Sequence, residues 1–192
     1  MSNITERLDR LREKIQTTDF LEGKGLSNEV NIQMFCYDPS EEMTVRHFLS
    51  QLEGDSSLQC HLIPCDLYRI LLSICEDLGI TDAIPDMEEE EGSAFLLEQI
   101  QSAAGIDEYV AKIRDRITRE GRDVLLLTGV GDVFPFMRVH SLLEALQPAV
   151  SDMPILVMYP GRFDGNYLRL FNEMEPNPYY RAFNLIGEEQ AI

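Results

Sequence analysis

The sequence has no tryptophan, only three histidines, and only sixteen lysines and arginines against thirty-four aspartates and glutamates. That shortage of base leaves a formal net charge of −18. It argues against autonomous nucleic-acid binding, whose affinity comes largely from basic side chains displacing counterions at phosphates. Adhesion to an anionic membrane surface is disfavoured on the same ground. Long apolar runs are missing as well. The longest, residues 124–127 and 155–159, fall far short of the ~20 residues that a spanning helix needs. The four cysteines follow no disulfide-framework spacing, and the N-terminus lacks the apolar core of a signal peptide, so a reducing, cytoplasmic setting is expected. What is present is an ordinary globular mixture, 44% hydrophobic and 26% charged over 192 residues. A chain of that length buries a core without disulfide or metal staples.

The acidity is uneven. Residues 70–111 hold eleven acids and no lysine or arginine, with Glu88, Glu89, Glu90 and Glu91 in succession. Such a run is either a solvated face that keeps the protein soluble or a surface that steers a basic partner. Near the start, Ile4, Leu8, Leu11 and Ile15 recur at helical spacing, behind Asn3 as a capping residue with Glu6 closing a capping box. Their apolar stripe packs along a sheet or meets another protein.

A strand–helix rhythm follows. Strands are expected at residues 30–36, 58–64, 123–128, 154–159 and 180–186. Helices are expected after Asp38-Pro39, at 67–78 behind Asp66, at 87–103, at 107–120 and at 134–146. The almost wholly apolar stretch at 123–128 marks a sheet buried on both faces. The expectation is a single α/β domain over residues 1–192, with a mostly parallel five-stranded sheet flanked by helices. Residues 1–18 supply the N-terminal amphipathic helix and 80–121 a helical insertion. The layout is Rossmann-like, as in P-loop NTPases, but without a P-loop.

In open parallel sheets ligands bind beyond the carboxyl ends of the strands. Asp38, Asp66, Asp132 and Asp164 each follow a different expected strand. Converging, they hold a divalent metal for hydrolysis; dispersed, they cap helices. The first strand–helix turn has no glycine or lysine to wrap a polyphosphate. Gly129-Val130-Gly131 is only the G-x-G fragment of a phosphate loop, followed by an acid. Cys60 and Cys65 point to opposite faces of their strand, and neither His61 nor Cys75 completes a zinc spacing. Ser141 after His140 falls in an expected helix rather than a nucleophile elbow. No catalytic, metal or cofactor residue is therefore assigned, and no cofactor is expected. What remains near the carboxyl edge is a mixture of aromatics and arginines, the residue types that anchor protein interfaces. It comprises Phe134, Phe136, Arg138, His140, Arg162, Phe163, Tyr179, Tyr180 and Arg181. The phenylalanines serve either as anchors or as core.

The same residues carry a resemblance. The run DVLLLTGVGDVFPFMRVH from Asp123 resembles the hallmark of the BrxB family of BREX (bacteriophage exclusion) systems. EVNIQMFCYDPSEE from Glu29, CDLYRILLSICE from Cys65, YPGRFDGNYLRLF from Tyr159 and NPYYRAFNLI from Asn177 match it in order. The resemblance implies a cytoplasmic component of an antiviral defence complex, encoded beside the methyltransferase PglX, the alkaline-phosphatase-like PglZ and the large ATPase BrxC. It brings no established catalytic residues. Its natural implication is an adaptor or assembly subunit with PglZ as the first direct partner, and with PglX and BrxC as further ones. Neither nucleic acid nor membrane is an expected partner. The alternative is a metal-dependent nuclease or nucleotide hydrolase built on the strand-end aspartates.

Overall fold

The computed structural model describes residues 3–23, 31–164, 166–178 and 183–186. Helix α1 (Ile4–Lys14) starts where Asn3 accepts a hydrogen bond from the Thr5 N–H at 3.1 Å. A short α2 (Thr18–Leu21) follows, capped by Thr17. Strand β1 (Ile32–Tyr37) ends at Asp38, whose carboxylate accepts from the Ser40 N–H and opens a 3-10 turn into α3 (Glu42–Glu53). Strand β2 (His61–Asp66) runs directly into α4 (Leu67–Asp77), because Asp66 accepts from both Tyr68 and Arg69 N–H groups at 3.0 Å. Proline 64 within β2 is tolerated because β2 is the edge strand.

The helical stretch that follows differs from expectation. A single helix at 87–103 was expected; the chain instead forms α5 (Ile84–Glu91) and α6 (Ser93–Ala103). Gly92 separates them at φ 87°, ψ 161°, a conformation that no helix contains and that glycine adopts without strain. Helix α7 (Ile106–Arg116) leads to β3 (Asp123–Thr128), which matches its expected bounds. The expected helix at 134–146 loses its first turn. A short α8 (Val130–Val133) ends at Phe134, which precedes Pro135 and is held extended at φ −71°, ψ 135°, as the proline ring demands of its predecessor. Helix α9 then covers Val139–Leu146. Strand β4 (Ile155–Phe163) is followed by β5 (Tyr167–Leu170), β6 (Asn177–Pro178) and β7 (Phe183–Asn184).

The parallel strands lie in the order β2-β3-β4-β1-β7, so the mostly parallel five-stranded sheet is as expected. Its last strand falls inside the expected 180–186. Two antiparallel strands extend it: β5 pairs with the far end of β4, and β6 with β5. Side-chain alternation divides the sheet cleanly. Ile32, Met34, Leu125, Leu127, Ile155 and Val157 face a core shared with α4, α6, α7 and α9. Phe35, Tyr37, Val124, Leu126, Leu156 and Met158 face a second core shared with α1, α2 and α3. The apolar stripe of α1 is used here: Leu8, Leu11 and Ile15 are buried, so the stripe is not a free docking face.

Arg7, unflagged by the sequence pattern, is 4% exposed and fastens this second layer. Its guanidinium donates to the Cys36 carbonyl at 2.5 Å and to the Ile186 carbonyl at 3.1 Å, and lies 4.9 Å from the centre of the Phe35 ring. Replacing it removes a donor from the buried Cys36 carbonyl and from the partly buried Ile186 carbonyl. Arg7→Leu is expected to lower the unfolding free energy by roughly 2–4 kcal/mol in urea melts. Arg7→Lys is expected to recover only part, since the shorter ammonium loses the flat guanidinium face that lies over the Phe35 ring.

Candidate functional site

Parallel register carries the ends of β1, β2, β3 and β4 to one edge of the sheet, where Tyr37 meets Pro160 and Asp66 meets Thr128. All four strand-end aspartates are at this edge, and each has a structural occupation. Asp38 accepts from the Ser40 N–H and hydroxyl, and these bonds hold its carboxyl below the usual range. Asp66 caps α4. Asp132 pairs with Arg46. Asp164 accepts from the Asn166 and Tyr167 N–H groups at 2.9 and 2.8 Å, which likewise lowers its pKa.

Beside them, a 210 Å³ cleft under α3 is lined by Glu42, Glu53, Asp66 and Asp132, with Arg46 and Arg69. Arg46 bridges Glu42, at 2.7 Å, and Asp132, while the Tyr37 hydroxyl donates to Glu42 at 2.7 Å. The network ties α3 to the turn after β3 and presents carboxylates where a phosphate would enter. Gly129 in that turn has φ 70°, ψ 22°, and a Cβ on it would lie 2.8 Å from the Asp66 carboxylate. The G-x-G fragment thus lets the β3 turn close over the α4 cap.

The thiols lie elsewhere. Cys60 and Cys65 face opposite cores, as alternation requires, and all four cysteines are buried. Burial pushes the Cys65 thiol up to about 11 and raises Cys60 and Cys75, which keeps them protonated and poorly nucleophilic. His61 bonds Asp123 at 2.8 Å at the amino end of β2, away from this edge. Ser141 is part of α9, as its expected helix placed it.

Two adjoining clefts hold most of the interface residues read from the sequence. The first, of 290 Å³, lies between the chain after β3 and the chain after β5. Phe134, Met137, Leu170 and Met174 give it apolar walls, and Arg138 and His140 stand at it. Burial first, then the neighbouring Arg138, pushes His140 below the ordinary imidazole value, so it is neutral at pH 7. Tyr159 also lines the cleft and is 2% exposed. The second cleft, of 480 Å³, is lined by Arg162, Asp164, Tyr167, Arg169 and Pro176, the last shared with the first.

The structure therefore brings Phe134, Arg138 and His140 together and sets Arg162 next door. Phe136 and Phe163 are half-buried against the first core, as is the far side of Phe134. Tyr179, Tyr180 and Arg181 lie outside the described residues. Sequence reasoning missed Arg169 and the cleft wall of Leu170 and Met174. The signal for the first two was the alternation Tyr-Leu-Arg-Leu at 167–170, which has strand period.

With this geometry in hand, comparison identifies the family. The profile of the family described as BREX protein BrxB matches residues 63–185. A BREX protein BrxB of Bacillus cereus (strain H3081.97) is 41% identical over 196 aligned residues, covering 98% of this chain and all of the relative. Another from Escherichia coli O9:H4 (strain HS) is 27% identical over 186, covering 95% of this chain and 91% of the relative. No solved structure matches. The chain belongs to the BrxB family of the BREX system.

The close fit at Gly129 generates a test. Gly129→Ala adds left-handed strain and displaces the Asp66 cap, and is expected to cost about 2 kcal/mol by urea denaturation. Gly105→Ala, where an added Cβ meets nothing within 4 Å, is expected to change stability little.

Proposed function

We propose that this chain acts as a non-catalytic adaptor or assembly subunit of a BREX anti-phage defence complex, holding another component against the carboxyl edge of its sheet. PglZ is the first partner in this reading, with PglX and BrxC as further ones. The family supports the complex, since a BrxB protein functions among other BREX proteins. The role rests on one observation. At the edge where α/β folds place their chemistry, the carboxylates are bound to helix caps, turns and an arginine, while Arg138, Arg162 and Arg169 at the two adjoining clefts make no ion pair among the described residues. A hydrolase needs the reverse, carboxylates free to converge on a metal or a water.

Among the described residues no helix is long and apolar enough to cross a membrane. A cytoplasmic setting fits the reduced, buried cysteines. Glu88, Glu89, Glu90 and Glu91 in and around α5 are exposed and remote in sequence from the clefts. They serve this reading as a solubilising face or as a long-range guide for a basic partner.

Co-purification of the tagged protein with PglZ, PglX and BrxC in turn tests the proposal. Capture of PglZ by the wild-type protein is the expected result; capture of none of the three by a folded protein overturns it. Truncating a central anchor typically costs ~2 kcal/mol or more, about thirtyfold in affinity. Arg138→Ala with Arg162→Ala is therefore expected to cripple capture and phage restriction while leaving the melting temperature nearly unchanged.

A further inference from the structure

On a chain so rich in acid, arginines find partners readily. Arg12 pairs with Asp55, Arg46 with Glu42 and Asp132, Arg69 with Asp66, and Arg119 with Asp152. Arg138, Arg162 and Arg169 make no ion pair among the described residues; Arg114, Arg116 and Arg122 share that state but are dispersed over α7 and the turn before β3. The first three all border the two adjoining clefts.

Their placement is costly to the fold. Arg162 on β4 and Arg169 on β5 are directly opposite in the antiparallel register, so their side chains share one face of the pair. Like charges so placed repel. Nearby carboxylates offset this only at longer range: Arg162 attracts Asp38 and Arg169 attracts Asp164, neither closely enough to form an ion pair. Asp164 is bound to its own turn N–H groups, and Glu175 at the first cleft is already engaged. Arg162 is oriented by a relay in which its Nε donates to Asn172 at 3.0 Å and Asn172 donates to Asp38 at 3.2 Å. That relay uses Nε and leaves the two terminal nitrogens of the fork open. The residues that build it sit in an unusual backbone, with Phe171 at φ 53° and Asn172 at φ 62°. Bulky residues rarely adopt the left-handed region, and strain of this kind gathers at binding sites.

The first cleft adds a different chemistry. Its walls are Phe134, Met137, Leu170 and Met174, and the nearly buried Tyr159 makes no hydrogen bond among the described residues. The Tyr159 hydroxyl is thus free to donate to a group seated in the cleft. A volume of 290 Å³ suits one large side chain.

We propose that the two clefts together take an acidic peptide segment with a single apolar anchor, supplied by the partner protein. The anchor side chain fills the first cleft against Phe134, Met137, Leu170 and Met174, beneath Tyr159. Flanking carboxylates pair with Arg138 on one side and with the Arg162 and Arg169 forks on the other, bidentate pairing being what a planar guanidinium favours. The repulsion between Arg162 and Arg169 is relieved on binding, so the complex gains where the free protein is strained. This deepens the interface reading above and rests on it, yet the two fail separately. Capture of a whole BREX component tests the first, and synthetic peptides test the second.

The probe is a set of fluorescein-labelled nonapeptides with aspartates and glutamates around a central leucine or phenylalanine. Controls carry the matching amides, lysines in place of the acids, or serine in place of the anchor. Fluorescence anisotropy with the full chain should show saturable binding of the acidic anchored peptides only. The affinity should fall at least about tenfold in Arg162→Gln with Arg169→Gln, and again in Arg138→Gln. Arg119→Gln, on a paired surface arginine, should bind as wild type. The melting temperature of Arg169→Gln alone should hold or rise, because it removes a like-charge contact.

Equal binding of acid and amide peptides, binding unaffected by the cleft variants, or no binding of any acidic peptide overturns the proposal. A lower melting temperature in Arg169→Gln overturns the strained-pair argument on which it stands. A concentration-dependent dimer in sedimentation, dissociated by the same arginine variants, would seat the glutamate run of a second copy in the clefts and overturn the assignment to a different partner.

Discussion

The fold depends on β4. Residues Ile155 to Val157 have backbone neighbours on both sides, β3 and β1, and the side chains from Ile155 to Tyr159 are buried on both faces. A strand with no solvated face requires apolar cover above and below. Here α4, α6, α7 and α9 provide one layer, and α1, α2 and α3 the other. Parallel pairing then requires each connection to cross back over a face, so the parallel strands β1 to β4 all end at the same edge. The clefts lie there because no other edge gathers the ends of β1, β3 and β4. From that gathering come the aromatic and cationic residues of distant sequence segments.

Charge is distributed with similar economy. The described ion pairs of Arg12, Arg46 and Arg119 each join segments far apart in the chain and hold secondary elements to one another. Exposed pairs of this kind stabilise little individually, but they consume the scarce cations. At the two adjoining clefts the allocation differs: Asp164 is bound within its own turn, and Arg138, Arg162 and Arg169 make no ion pair among the described residues. On a protein of net charge −18, this grouping of three arginines distinguishes the two adjoining clefts from the cleft under α3, where carboxylates outnumber arginines.

Much of this was legible because it is written in local chemistry. The caps at Asn3, Asp38 and Asp66 announce α1, the turn before α3, and α4. The doubly buried β3 is apparent from its continuous apolar run. Where legibility failed, a long-range or conformational term was responsible. The helix expected at 87–103 has helical periodicity throughout, and only the backbone of Gly92 interrupts it. Phe134 looks helical until the constraint imposed by Pro135 is counted. Strands β5 and β6 are too short to give a strong pattern and exist because the exposed end of β4 offers them hydrogen-bond partners. The interface residues around Arg138 and Arg162 were visible as a composition. Their union with Arg169 and Tyr159 required the antiparallel turn that brings β5 back onto β4.

Arg7 has a consequence for the order of assembly during synthesis. One of its two carbonyl partners, Ile186, lies 179 residues further along the chain. Ribosomes add roughly 5–20 residues per second. The first helix therefore waits on the order of ten seconds or more before its guanidinium can be satisfied on both sides. During that interval α1 has its apolar stripe and one carbonyl, but not its closing contact. The far end of the chain thus acts as a latch on the near end, and the second layer of the protein becomes fully fastened only when translation has passed Ile186.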